Sequence, residues 1–425
     1  MAEEVAFVTA AIILLIGFLG EALFRRTGFP SILLLIAFGI ILGPVLGIFD
    51  SATLGPVTPH LITLALIMIL FHGGLDMDLA RAFGQSGRAT ALAVGYFLLV
   101  TAGVALAAHF LLGFDWTGSL LFGPMIAGTS SVVIIPLARK LGLREETSTT
   151  IALESTITDI LNIVVFFALI DVYFGRSAGV IETFRDIAAK FGVGLLLGFF
   201  AGVLWLAVLY RIRYDEYTYI PTLAVVIFVF FGSEALGGSG VLSVLTMGLV
   251  LGNASHVAHF VRMKFDRGEF AEVRVYLLRF QSEISLLIRA FFFVFLGLMF
   301  DIGPTTLIFS LTYGLLFTAI NVAGRSAAVV ASTAKSPMAA DRMPMTLLCG
   351  QGLAHATLAV IPLQLVASGQ FVANASVYPT IVVMVILATN VITAIAAVAT
   401  ARRNSADAAF VPVSVSDPPP PPDGE

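Results

Sequence analysis

The sequence predicts an all-α polytopic membrane protein. About 13 transmembrane helices form an inverted-topology repeat, with two discontinuous helices crossing near the midplane. Three observations predict it. First, 58% of the 425 residues are hydrophobic and only 12% are charged, where a soluble domain carries roughly 25%; the mean hydropathy is +1.00. Second, the basic residues gather in alternate connections between apolar runs. Third, two short motifs of the first half return, in order, in the second.

A bilayer is crossed by about 20 apolar residues. The runs that qualify are 5–23, 30–48, 60–74, 89–112, 117–137, 148–171, 187–210, 217–232, 237–252, 283–300, 304–332, 344–367 and 375–400, with 60–74, 217–232 and 237–252 the shortest. Alternate connections hold Arg25 and Arg26; Arg81 and Arg88; Arg139, Lys140 and Arg144; Arg211 and Arg213; Arg262, Lys264, Arg267, Arg274 and Arg279; Lys335 and Arg342; Arg402 and Arg403. Those are 18 of the 23 basic residues. The opposite side has Arg176 and Arg185, with Lys190 at its edge; Arg289 and Arg325 fall inside spans. The positive-inside rule then puts the N-terminus outside and the C-terminus in the cytoplasm of a plasma-membrane protein.

The acidic start "MAEEVAF" has no basic n-region, and no cleavable signal is expected. The single cysteine, Cys349, allows no internal disulfide. The proline-rich end "SVSDPPPPPDGE" reads as a disordered tail, 404–425, after a transmembrane domain of 1–403. The basic connection 253–280 reads as a short interfacial helix. No phosphate loop, zinc spacing or nucleophile–base pair is visible, so neither an enzyme nor a cofactor is expected, and nothing points to nucleic acid.

"PSILLLIAFGIILG" (30–43) aligns with "SGVLSVLTMGLVLG" (239–252), putting Gly39 and Gly43 on Gly248 and Gly252. The next span ends "LFHGGLDMD" in one half and "VFLGLMFD" in the other, up to one gap. Matching spans start on opposite sides, the plan of secondary transporters. Ordinary close packing through small residues is the plainer reading of such glycines. Two spans carry helix breakers at corresponding places. "GPMIAGTSSVVIIP" has Gly123, Pro124, Gly128 and Pro136 around Thr129, Ser130 and Ser131; "LLCGQGLAHATLAVIP" has Gly350, Gly352 and Pro362 around Gln351, His355 and Thr357. Broken helices free backbone carbonyls that can ligate a cation.

"IALESTITDILNIVV" (151–165) holds the polar residues that need explaining. At about 100° per residue, Glu154, Thr158, Asn162, Ser155 and Asp159 share one face about 140° wide. That face must look into protein or water, because an acid in lipid costs about 2.5–3.5 kcal/mol. Glu154 needs a countercharge. Arg325, with Asn321 one turn earlier, is the first candidate; Arg289, near Glu283, competes for that role. Asp159 is then left without a fixed countercharge and holds either a proton or a cation. The alternative is a permanently protonated acid that joins two helices. The neighbouring hydroxyl and amide oxygens suit a hard cation. Either His72 or His355 is chemically able to sense pH near neutrality, although an interfacial or packing role explains both. An ion channel would need rings of ligands rather than single buried helices, and an organic-anion symporter would need positive charge beside the site.

With these stretches laid out, the chain resembles the monovalent cation/proton antiporter superfamily, in particular its prokaryotic sodium/proton exchanger branch. The resemblance covers nearly all of 1–403 and rests on "LFHGGLDMDL", "GTSSVVIIPLARKLG", "ESTITD", "GSGVLSVLTMGLVLGN", "EISLLIRAFFFVFLGL" and "INVAGRSAAVV". It implies a homodimer whose core (roughly 89–171 plus 304–400) moves against a dimerisation part (roughly 1–74 plus 187–300). It implies Asp159 as the cation- and proton-binding acid, Ser155 and Thr129 as cation ligands with Thr158 and Ser130 beside them, and Glu154–Arg325 as the intramembrane pair. Asn162, Asn321, Gln351 and His355 would support the site. Three positions depart from the branch: Ser130 stands where Asp is frequent, Thr158 where Asn or Asp is, and Gln351 where Arg is. With one acid free to titrate, the expectation is 1:1 electroneutral Na+/H+ exchange, with K+/H+ exchange as the alternative.

Overall fold

The computed structural model describes residues 2–48, 58–76, 86–174, 180–212, 219–260, 283, 285–334, 336–367 and 369–409. Among them every regular element is helical. In order these are α1 (Ala2–Thr27), α2 (Ser31–Ile40), α3 (Thr58–Asp76), α4 (Ser86–Leu112), α5 (Trp116–Ile126), α6 (Ser131–Lys140), α7 (Glu145–Tyr173), α8 (Val180–Ile212), α9 (Tyr219–Ala235), α10 (Gly240–Gly252), α11 (Ala254–Phe260), α12 (Ser285–Leu298), α13 (Pro304–Ser332), α14 (Arg342–Leu347), α15 (Leu353–Ala367) and α16 (Val377–Ala409). Pro44 cannot donate a helical hydrogen bond, and α2 runs on through it as a π-helical turn, Ile41–Val45.

Six helical segments among the described residues are long and apolar enough to cross a membrane, and a seventh if α10 and α11 count as one bent span. Shorter apolar helices include α2, α9, α12 and α15. α11 leaves α10 at 90° and begins the basic connection; 261–282 lie outside the described residues. At the other end α16 continues to Ala409, six residues past the boundary expected from sequence, and 410–425 are outside the described residues.

The buried side chains form two clusters. One runs through α4–α7, α13, α15 and α16 and also takes in α1, α2 and α12. The other joins α3, α8, α9 and α10 around Leu70, Phe71, Leu206, Val226 and Leu245. Helix α7 lies on the seam. It gives Ile151, Phe166 and Ile170 to the first cluster and Ile163 to the second, with Ile160, Val164 and Phe167 packed against the second.

Glycine lets two helix pairs meet backbone to backbone. A Cβ on Gly39 of α2 would sit 2.0 Å from the Val294 oxygen of α12, and one on Gly297 would sit 2.3 Å from the Ile36 oxygen. A Cβ on Gly248 of α10 would sit 2.6 Å from the Phe71 oxygen of α3, and one on Gly74 would sit 2.4 Å from the Leu245 oxygen. The residues correspond one to one across the two matched motifs: Gly39 with Gly248, Ile36 with Leu245, Gly297 with Gly74, Val294 with Phe71. Gly43 and Gly252 extend the pattern onto Leu298 and Leu75.

This packing predicts a sign. Ala is favoured over Gly within a helix by about 0.8–1.0 kcal/mol, so Gly73→Ala, whose Cβ meets nothing within 4 Å, should leave the melting temperature unchanged or raise it. Gly39→Ala should lower it, because overpacking costs about 1–3 kcal/mol. Thermal unfolding in detergent, followed by size-exclusion fluorescence, checks both.

Candidate functional site

The site begins where α5 stops. Asp115 caps the helix start, accepting from the Thr117 and Gly118 amides at 3.2 and 3.3 Å. Pro124 weakens the last turns, and Gly128, at φ +113°, ends the helical path. The chain crosses residues 127–130 and becomes helical again as α6. The carbonyls freed here find side chains. Ile126 O accepts from Asn321 Nδ2 at 2.6 Å and also from Gln351 Nε2. Gly128 O accepts from the Tyr96 hydroxyl at 3.1 Å.

A second break separates α14 from α15. Asn390 Nδ2 donates to Gln351 O at 2.8 Å, and the Cys349 amide donates to Thr393 Oγ1 at 3.1 Å. The two breaks touch: the Ser130 amide donates to Gly350 O at 2.9 Å. A Cβ on Gly352 would lie 2.3 Å from Ser130 Oγ, so the crossing depends on a glycine on one strand and a small side chain on the other.

Helix α7 passes beside this crossing. Glu145 and Glu146 occupy its first turn, where acids favour the positive end of the dipole. Its polar residues Glu154, Ser155, Thr158 and Asn162 are fully buried. Arg325 of α13, also fully buried, meets Glu154 as a bidentate pair, Nη1 to Oε1 at 2.9 Å and Nη2 to Oε2 at 3.0 Å. Its Nε donates to Met345 O of α14 at 2.8 Å, and its plane lies 4.9 Å from the Tyr96 ring centre. Arg289 takes no part. It donates to Ser285 O at 3.4 Å and feels the Glu21 charge of α1.

Asp159 has different surroundings. Oδ2 accepts from Ser131 Oγ, the first residue of α6, at 3.0 Å, and Oδ1 is buried with no hydrogen-bond partner among the described residues. The hydroxyls on the same helix are turned in a telling way. Ser155 donates to Ala152 O and Thr158 to Ser155 O, each at 3.1 Å. With their protons tied to the helix, both oxygens keep lone pairs free. Thr129 Oγ1 stands 3.5 Å from Glu154 Oε1, and Asn162 Nδ2 lies 3.3 Å from His355 Nε2. A Cβ on Gly128 would come 2.7 Å from Asn162 Nδ2 and 3.1 Å from Thr158 Oγ1. The first break therefore lies directly on the polar face of α7. Oxygen donors gathered on one helix face with a carboxylate can replace water around a small cation.

The family model described as "Sodium/hydrogen exchanger, transmembrane" matches residues 10–399. The chain belongs to the sodium/hydrogen exchanger family. As a member of that family it is a transporter chain that spans the membrane several times. Its fold is that of a solved structure, the sodium proton antiporter MjNhaP1 from Methanocaldococcus jannaschii: TM-score 0.76 at 22% identity, covering 96% of this chain and 99% of that one. A probable Na(+)/H(+) antiporter 2 from the same organism is 26% identical over 79% of each chain. The K(+)/H(+) antiporter NhaP2 of Shewanella sp. (strain ANA-3) is 29% identical over 58% of this chain, and the match spans only 44% of that relative's length.

Several residues around Asp159 and the two breaks were given no role from the sequence. Ser131, the donor to Asp159, stood in the quoted "TSS" run but not among the expected ligands. Tyr96, Asn390 and Thr393 were missed; the usable signal was a lone polar group in an apolar helix, which must find a partner when buried. One test follows from the geometry of the break. Gly128→Ala puts a side chain at positive φ against Asn162, a strain of about 1–3 kcal/mol, and should cut cation-driven exchange strongly while the protein still folds. Dequenching in proteoliposomes, with size-exclusion as the folding control, measures it.

Proposed function

We propose that this chain is a secondary active antiporter that exchanges Na+ for H+ at 1:1, without net charge movement, by alternating access. Cation and proton compete for Asp159. The observation that carries the reading is the contrast between two acids five residues apart on one helix. Glu154 is neutralised by both arms of Arg325, while Asp159 has one oxygen on a serine and the other unpaired. Ser155 and Thr129 complete the cation site, with Thr158 and Ser130 at its edge, and Asn162, Asn321, Gln351 and His355 hold its walls. Family membership and the sodium proton antiporter fold support Na+ as the substrate. K+ is the second reading, favoured by the likeness to NhaP2. Proteoliposomes loaded with pH dye and given Na+, Li+ or K+ in turn decide between them. Na+ should be exchanged, and an imposed membrane potential should not change the rate.

The architecture we infer has thirteen spans: α1, α2, α3, α4, α5–α6, α7, α8, α9, α10, α12, α13, α14–α15 and α16. It is an inverted repeat, supported by the glycine contacts that recur with the halves exchanged. A core of roughly 89–171 and 304–400 moves against a dimerising part of roughly 1–74 and 187–300 in a plasma-membrane homodimer. The N-terminus is outside, as the distribution of Lys and Arg argues.

A further inference from the structure

An apolar groove of about 300 Å³ opens where the end of α1 meets α16. Leu23, Thr27, Gly28, Phe29, Ala394 and Val398 line it. Leu23 and Val398 are 38% and 49% exposed, so the groove opens on the apolar outer surface. Its one hydroxyl is used internally: Thr27 Oγ1 donates to Leu23 O at 2.8 Å and accepts from the Phe29 amide at 3.1 Å. The lining therefore offers apolar contact alone.

The end of the groove is cationic. Arg25 and Arg26 immediately precede Thr27, and both are exposed. Lys140, the last residue of α6, reaches across to the α1 terminus and donates to Arg25 O at 3.2 Å and to Arg26 O. Glu21 offsets Arg25 through an exposed contact of 3.5 Å. Among the described residues no carboxylate pairs with Arg26 or Lys140. Arg402 and Arg403 follow Val398 in the next turn of α16. An apolar slot beneath exposed cations at a membrane edge complements one class of molecule: an acyl chain joined to an anionic headgroup. A neutral lipid would fill the slot but leave the cations unmatched.

We propose that this groove is a binding site for an anionic phospholipid, with one acyl chain along Leu23, Ala394 and Val398 and the phosphate on Arg26 and Lys140. The test is native mass spectrometry on the purified full chain, titrated with dioleoyl phosphatidylglycerol and, separately, dioleoyl phosphatidylcholine. Phosphatidylglycerol should bind about fivefold or more tightly than phosphatidylcholine. Ala394→Phe, which fills the slot, should weaken both. Arg26→Gln, a surface change that leaves the packing alone, should weaken phosphatidylglycerol only. Equal affinity for the two lipids would overturn the proposal, as would phosphatidylglycerol binding that neither variant changes. Because this readout is binding rather than transport, its failure would leave the antiport reading untouched.

Discussion

Replacing Asp159 by Asn should abolish exchange and leave the fold standing. The amide matches the carboxylate in shape and can keep the Ser131 contact, which holds at 3.0 Å in the native site. What it loses is the charge that would attract a cation and the proton that the proposed exchange trades. A charge pair about 4 Å apart at an effective dielectric of about 20 is worth roughly 4 kcal/mol, or about three decades of affinity. Transport should fall to background for Na+ and K+ alike. Stability should stay level or rise, because Asp159 Oδ1 has no hydrogen-bond partner among the described residues to lose. Dequenching in proteoliposomes together with a detergent melt reports both halves of this expectation. Surviving exchange would remove Asp159 from the mechanism; loss of the fold would make it a structural acid.

The second large effect concerns Glu154. Glu154→Gln alone strands the Arg325 guanidinium, which is fully buried. Removing one member of a buried pair costs about 3–5 kcal/mol, enough to lower expression and melting temperature sharply. The loss should reach both breaks, because Arg325 also holds Met345 O at 2.8 Å and Thr129 Oγ1 stands near Glu154. Glu154→Gln combined with Arg325→Met removes both charges and should recover much of the stability. It should also keep measurable exchange, because Asp159, the proposed proton carrier, is untouched. A double-mutant cycle on melting temperature reads the coupling. A single variant as stable as the native chain would show that Glu154 does not neutralise Arg325.

The helical content and the polar face were legible because each rests on short-range arithmetic. Runs of apolar residues give spans, and a repeat of about 3.6 residues per turn puts Glu154, Ser155, Thr158, Asp159 and Asn162 together. Even the three shortest apolar runs yield helices in the structure, Thr58–Asp76, Tyr219–Ala235 and Gly240–Gly252. The breakers in "GPMIAGTSSVVIIP" and "LLCGQGLAHATLAVIP" marked where α5 and α14 end. The contacts between the breaks were not legible. The Ser130 amide meets Gly350 O, and Tyr96 reaches Gly128 O, across 220 and 32 residues of chain, and no local pattern encodes such partners. The grouping of buried side chains was also out of reach. Outward and inward faces of a membrane helix are alike in apolarity, so the packing of α1, α2 and α12 with the helices around the site had no signature in composition.

Competition at a single acid makes one direct claim: binding a cation expels a proton. Adding saturating NaCl to the purified chain in weakly buffered detergent solution, with a pH indicator, should release about one proton per protomer. The apparent affinity for Na+ should fall as the proton concentration rises, by about tenfold per pH unit on the acid side. The Asp159→Asn variant should release none. Proton release that persists in that variant, or Na+ binding to the native chain with no proton released, would contradict the account.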